Sequence, residues 1–98
     1  AAASGEIPAD TRCSNTNSDA DGAYPISTLT WMIIYKEQNY SDRSKEQAIA
    51  TLDLLKYILS DEAQGITSEV HYAPLPEKAR EQSRKNLHTV TYDGMTIL

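Results

Sequence analysis

Few residues in this chain have types and spacings that could do chemistry. Asn17-Ser18-Asp19-Ala20-Asp21-Gly22 matches the first half of a helix-loop-helix calcium loop, with glycine at the sixth place. Such a loop closes with a bidentate glutamate at the twelfth place, but Thr28 stands there and Pro25 stands at the ninth. No amphipathic helix precedes it. An acidic turn held by side-chain hydrogen bonds to its own backbone is the better account. Nucleophilic catalysis has little to draw on. Cys13, His71 and His88 are far apart in sequence, and Cys13 sits among polar loop residues with no nucleophile signature around it. One cysteine and two histidines at these spacings match no zinc pattern. Gly5, Gly22, Gly65 and Gly94 are isolated, so there is no glycine-rich phosphate loop. Asn39-Tyr40-Ser41 fits an N-glycosylation acceptor, a triplet that chance often supplies.

Charge narrows the partners. A net charge of −5 over 98 residues disfavours bulk attraction to nucleic acid or to anionic membrane surfaces, and no nucleic-acid partner is expected. Lys78, Arg80, Arg84 and Lys85 are interleaved with Glu77 and Glu81, as on a solvated helix face. No apolar run is long enough to span a bilayer. Ala1-Ala2-Ala3-Ser4-Gly5 lacks the basic start and apolar centre of a signal peptide and reads as the tail of a helix stopped at Gly5.

The elements that must carry any site come next. Residues 6–23 are polar and turn-rich, an irregular crossing segment. Pro25 pushes Tyr24 toward extended geometry. Leu29 to Tyr35 follows, rich in β-branched and aromatic side chains, with a continuous apolar run at Trp31-Met32-Ile33-Ile34. That pattern predicts one main strand covered on both faces, as in α/β proteins. A single strand cannot satisfy its own backbone, so this one needs partner strands.

Helical signals follow. Ser44 with Gln47 three residues on is a capping box, and Ala48, Leu52, Leu55 and Leu59 form one apolar face. Leu54, Tyr57 and Ile58 widen that face. Ser60 and Asp61 cap a shorter helix from Glu62 to about Val70, weakened by Gly65. Tyr72-Ala73-Pro74-Leu75-Pro76 breaks it. Pro76 suits the start of a third, mostly polar helix, Glu77 to about His88, with Ala79, Ser83 and Leu87 as a thin inward stripe. Asp93-Gly94 signals a small C-terminal hairpin.

Tyr24-Pro25-Ile26 before a strand and Tyr72-Ala73-Pro74-Leu75-Pro76 before a polar helix, at this separation, resemble a family. The chain resembles the C-terminal third of the periplasmic phosphate-binding proteins that serve bacterial high-affinity phosphate ABC transporters, and the resemblance covers nearly all of it. The fold so implied is α/β, part of a two-lobed periplasmic-binding-protein fold with one main strand, about three helices and a small C-terminal hairpin. Residues 1–23 would be the end of the second lobe and an irregular crossing segment, 24–28 the crossover or hinge, and 29–98 the C-terminal part of the first lobe. Tyr24, Pro25, Ile26 and Ser27 are carried over as the hinge residues. Cys13 stands where the family's pattern has an ordinary apolar residue.

In that family phosphate is held in the cleft between lobes by backbone amides at helix N-termini, hydroxyls, an arginine and an aspartate. Those groups lie in the earlier two-thirds. The family's arginine followed by a Ser-Gly-Thr turn has no counterpart here, and Ser4-Gly5-Glu6 is not that motif. The resemblance therefore implies no phosphate ligand, no catalytic residue, no metal and no cofactor in this chain. It implies a non-enzymatic, periplasmic or extracellular protein, with or without a lipid anchor on the full-length chain. The partners implied are inorganic phosphate, through the upstream part only, and the membrane permease. The alternative is a stand-alone interaction module that associates through its strand edge, by self-association or domain swapping. An enzyme on a related scaffold, such as a phosphatase, finds no supporting residue.

Overall fold

The computed structural model describes residues 6–98; the helix tail expected at Ala1–Gly5 lies outside the described residues. Among the described residues the architecture is mixed α/β: helices α1 (Lys45–Ile58), α2 (Asp61–Ile66) and α3 (Glu77–Leu87), then an antiparallel pair, β1 (Thr91–Tyr92) and β2 (Met95–Thr96).

Each helix begins where its cap dictates. Ser44 stands in extended geometry; its Oγ accepts from the Gln47 N–H at 3.2 Å, and its own N–H donates to Gln47 Oε1 at 2.9 Å. Such a cap is worth about 1 kcal/mol. Ser60 repeats the device for α2, accepting from the Ala63 N–H at 3.2 Å. Beyond Gly65 the helix tightens into a 3-10 turn, Thr67–Val70, so the second predicted helix is present in two parts. His71 ends it in the left-handed conformation, φ 63°. Pro76 occupies the N-cap of α3, and its carbonyl accepts from the Ala79 and Arg80 N–H groups.

The core is built on α1. Leu52, Leu55 and Leu59 pack with Leu87 of α3 and with Val90, flanked by Ile34, Ile58, Leu75 and Ile97. Each such leucine contributes roughly 1.5–3 kcal/mol in gross transfer terms. The expected widening of the stripe fails at Leu54 and Tyr57, which are exposed; Ile58 alone is drawn toward the core. Polar ties fix the α1 end. Gln64 donates to the Ile58 carbonyl at 2.9 Å and accepts from the Leu75 N–H at 2.6 Å. Arg84 donates to the Leu59 carbonyl at 2.9 Å. Arg80 pairs with Asp61 of α2 at 2.5 Å and with Glu77, so Lys78 and Lys85 lie on the solvated face that the interleaving suggested, whereas Arg80 and Arg84 are half-buried and tie α3 to its neighbours.

The main strand expected at Leu29 to Tyr35 is not formed. The segment is irregular, and none of its backbone groups bonds to another backbone group among the described residues. The double cover expected for it is also absent, since Met32 is 62% and Ile33 94% exposed. Only Ile34 reaches the core. The physical reason is the one that makes strands cooperative: without a ladder partner, extended backbone is left to water. The pairing that does exist is a parallel bridge at Glu37 and Thr91. There the Thr91 N–H donates to the Lys36 carbonyl, and the Gln38 N–H donates to the Thr91 carbonyl, both at 2.8 Å. The radius of gyration is 15.3 Å and the axes measure 47 × 27 × 20 Å, against about 13 Å for a compact chain of about 100 residues.

Candidate functional site

The candidate site is the surface that the run 24–36 leaves open, and its two ends are anchored differently. At the N-terminal end, residues 15–27 form a closed loop. The Asn17 N–H donates to the Pro25 carbonyl at 2.7 Å, and the Ser27 hydroxyl donates to the Asn15 and Tyr24 carbonyls at 3.3 Å. Loops whose ends close in this way are compact surface units. The expected hinge residues Tyr24, Pro25, Ile26 and Ser27 thus form one side of that closure. Tyr24 and Ile26 hold their side chains in solvent, at 67% and 78% exposure.

Inside the loop lies the sequence that imitated a calcium site. Asn17 has φ 57° and Gly22 φ 73°, and the turn is closed by the Ala23 N–H donating to the Ala20 carbonyl. Ser18 Oγ accepts from the Ala20 N–H at 3.3 Å, so a serine rather than an aspartate supports the turn. Among the described residues, no three His, Cys, Asp or Glu side chains gather as a metal would require. Cys13 is a half-buried free thiol, and His71 and His88 are exposed at two separate helix ends.

At the other end Glu37 acts as a latch. Its carboxylate accepts from the Asn39 N–H and the Asp93 N–H at 2.9 Å, the Gly94 N–H at 3.0 Å and the Thr91 hydroxyl at 2.7 Å. Asp93 and Gly94 both have positive φ, 53° and 76°, as a two-residue hairpin turn demands, and this aims their N–H groups at one point. Those donors hold the Glu37 carboxyl down at about 2, the Asn39 N–H first, then the Thr91 hydroxyl and the Gly94 N–H. Asn39 adds a bond from its side chain to Asp93. The extended run is therefore fastened to the hairpin at residues 36–38, and among the described residues Leu29 to Tyr35 make no ladder bonds.

Between run and helices lies an apolar cleft of about 540 Å³. Trp31, Met32 and Ile34 form one wall; Leu55, Leu59 and Leu87 form the other. Trp31 is fixed at its edge by an indole N–H bond to the Thr11 carbonyl at 3.0 Å, and the Ala9 carbonyl accepts from Gln82 and Asn86 of α3. The cleft is mainly apolar, with Asp10, Lys36, Ser83 and Asn86 also among its lining residues. Sequence reasoning singled out the apolar run but missed Glu37. The Asp93-Gly94 turn was the available signal for Glu37, since its converging N–H groups require an acceptor.

Comparison with protein-family models, with curated proteins and with solved structures gives no match.

Proposed function

We propose that this chain is the C-terminal part of a two-lobed solute-binding protein that captures inorganic phosphate for an ABC-type uptake system, and that it has no catalytic role of its own. The observation that supports this most is the run Leu29 to Tyr35: a strand-forming, apolar sequence with its backbone unpaired and most of its large side chains in solvent. Exposed apolar surface of this kind marks a place where more protein belongs. On this reading further strands would cover the run, residues 24–28 would form the crossover, and the anion-gripping groups would come from the upstream part. The membrane permease would be the transport partner.

Two measurements test it. The isolated chain should show no rise in melting temperature with phosphate, because it holds no anion ligand; a shift of several degrees at micromolar phosphate would refute the assignment. Mixing the chain with a separately produced upstream part should create phosphate binding that neither piece has alone.

The same run supports a second reading, an interaction module that pairs its strand edge with another chain or with a copy of itself. Light scattering separates the two. Concentration-dependent dimers that exclude the upstream part would favour the module.

A further inference from the structure

Asp93 and Gly94 form the tip of the hairpin, and both are exposed. An aspartate followed by glycine is the pair least hindered in one side reaction of the backbone, attack of the following nitrogen on the side-chain carboxyl carbon. Space around the tip is open: no atom lies within 4 Å of where a Cβ on Gly94 would stand. Packing therefore does not shield this pair.

Hydrogen bonds hold both reacting groups instead. The Gly94 N–H donates to Glu37 Oε2 at 3.0 Å, and Asp93 Oδ1 accepts from the Asn39 side-chain amide. Attack requires the nitrogen to swing off Glu37 and the carboxyl to swing off Asn39. The Glu37 carboxylate cannot follow the amide, because it also accepts from the Asp93 N–H at 2.9 Å and the Thr91 hydroxyl at 2.7 Å. With its carboxyl held down at about 2, Glu37 is a weak base, so it accepts the amide hydrogen without removing the proton.

We propose that Asp93-Gly94 is a site of spontaneous conversion of aspartate to isoaspartate, and that the Glu37 latch guards it. The Gly94 nitrogen loses its proton and bonds to Asp93 Cγ; a carboxyl C–O bond breaks, and the oxygen leaves as water. Water then adds to the main-chain carbonyl of the resulting succinimide, whose C–N bond breaks. The atoms sum to the starting composition, but the main chain now runs through Cβ and Cγ of residue 93. One extra backbone carbon in a two-residue turn separates the N–H groups that converge on Glu37, so the latch cannot reform. Conversion starts only from the locally opened hairpin and runs one way. All the groups involved are in this chain, so the site stands or falls apart from the phosphate assignment.

The test follows the full chain during prolonged incubation in mildly acidic buffer. Peptide mapping with electron-based fragmentation distinguishes isoaspartate from aspartate at residue 93, and methyl transfer by an isoaspartyl methyltransferase counts it. The folded chain should convert about tenfold more slowly, or slower still, than the same chain unfolded in guanidinium. Glu37→Gln should speed conversion several-fold, and Asn39→Ala should do so by freeing the carboxyl. Asp61→Asn, which loosens the α2–α3 contact instead, should leave the rate unchanged. Equal rates in the folded and unfolded chain overturn the proposal, as does slower conversion in Glu37→Gln, which would make Glu37 the base for the reaction. Equal acceleration by Asp61→Asn also overturns it, since general stability and not the latch would then set the rate. The comparison of folded with unfolded chain uses no substitution, so it holds whether or not a variant folds.

Discussion

Replacing Ile33 by lysine separates what the run does for this chain from what it does for a larger assembly. Ile33 is 94% exposed and lies outside the core cluster, so in the isolated chain Ile33→Lys should change stability by no more than about 0.5 kcal/mol. Leu52, fully buried at the centre of the core, sets the contrast: Leu52→Ala should cost about 2–5 kcal/mol, enough to abolish a cooperative transition in so small a core. In an assembly that covers the run, the ranking reverses for Ile33. Burying an isoleucine gains about 1.5–3 kcal/mol, and burying an unpaired ammonium adds a further penalty. Loss of the isoleucine term alone weakens association by about 10- to 150-fold. Urea unfolding followed by far-UV circular dichroism reads the first quantity, and titration with the upstream part, or light scattering for self-association, reads the second. The reasoning fails if Ile33→Lys destabilises the isolated chain as much as Leu52→Ala does. It also fails if the substitution leaves both kinds of association untouched.

Further outcomes follow from the polar ties. Glu37 has its carboxyl lowered from 4.5 to about 2 in the folded chain. Its contribution is therefore complete above pH 4.5 and is lost as the pH falls toward 2, because the unfolded chain takes up the proton first. Hydrogen exchange at the Gly94 amide, compared between the natural chain and Glu37→Gln, should show protection that falls on acidification in the first and is already low in the second. Asp61, lowered by its bond to Arg80, loses its tie in the same direction, so Asp61→Asn should reduce the acid sensitivity of the α2–α3 contact as monitored by NMR. Gln64→Leu leaves the Ile58 carbonyl and the Leu75 N–H without partners and should cost about 1–3 kcal/mol in urea unfolding, with loss of order in residues 72–76.

Local chemistry was legible in the sequence because it is decided by neighbours a few residues away. Ser44 and Gln47 cap one another, Ser60 starts α2, Pro76 opens α3, and Asp93-Gly94 turns the hairpin; each works within one turn of backbone. The apolar spacing of Leu52, Leu55 and Leu59 likewise fixes which side of α1 is buried, whatever it packs against. The run Leu29 to Tyr35 is the opposite case. Its composition states a preference for sheet, but a ladder needs a second backbone at hydrogen-bonding distance, and sequence pattern cannot supply one. Only the tertiary structure shows where pairing starts, at Glu37 and Thr91, and that among the described residues it goes no further along the run. Only the tertiary structure brings Glu37 to the hairpin amides across more than fifty intervening residues. Those contacts are set by how distant segments meet, a quantity that depends on the whole packed chain and on no single stretch of it.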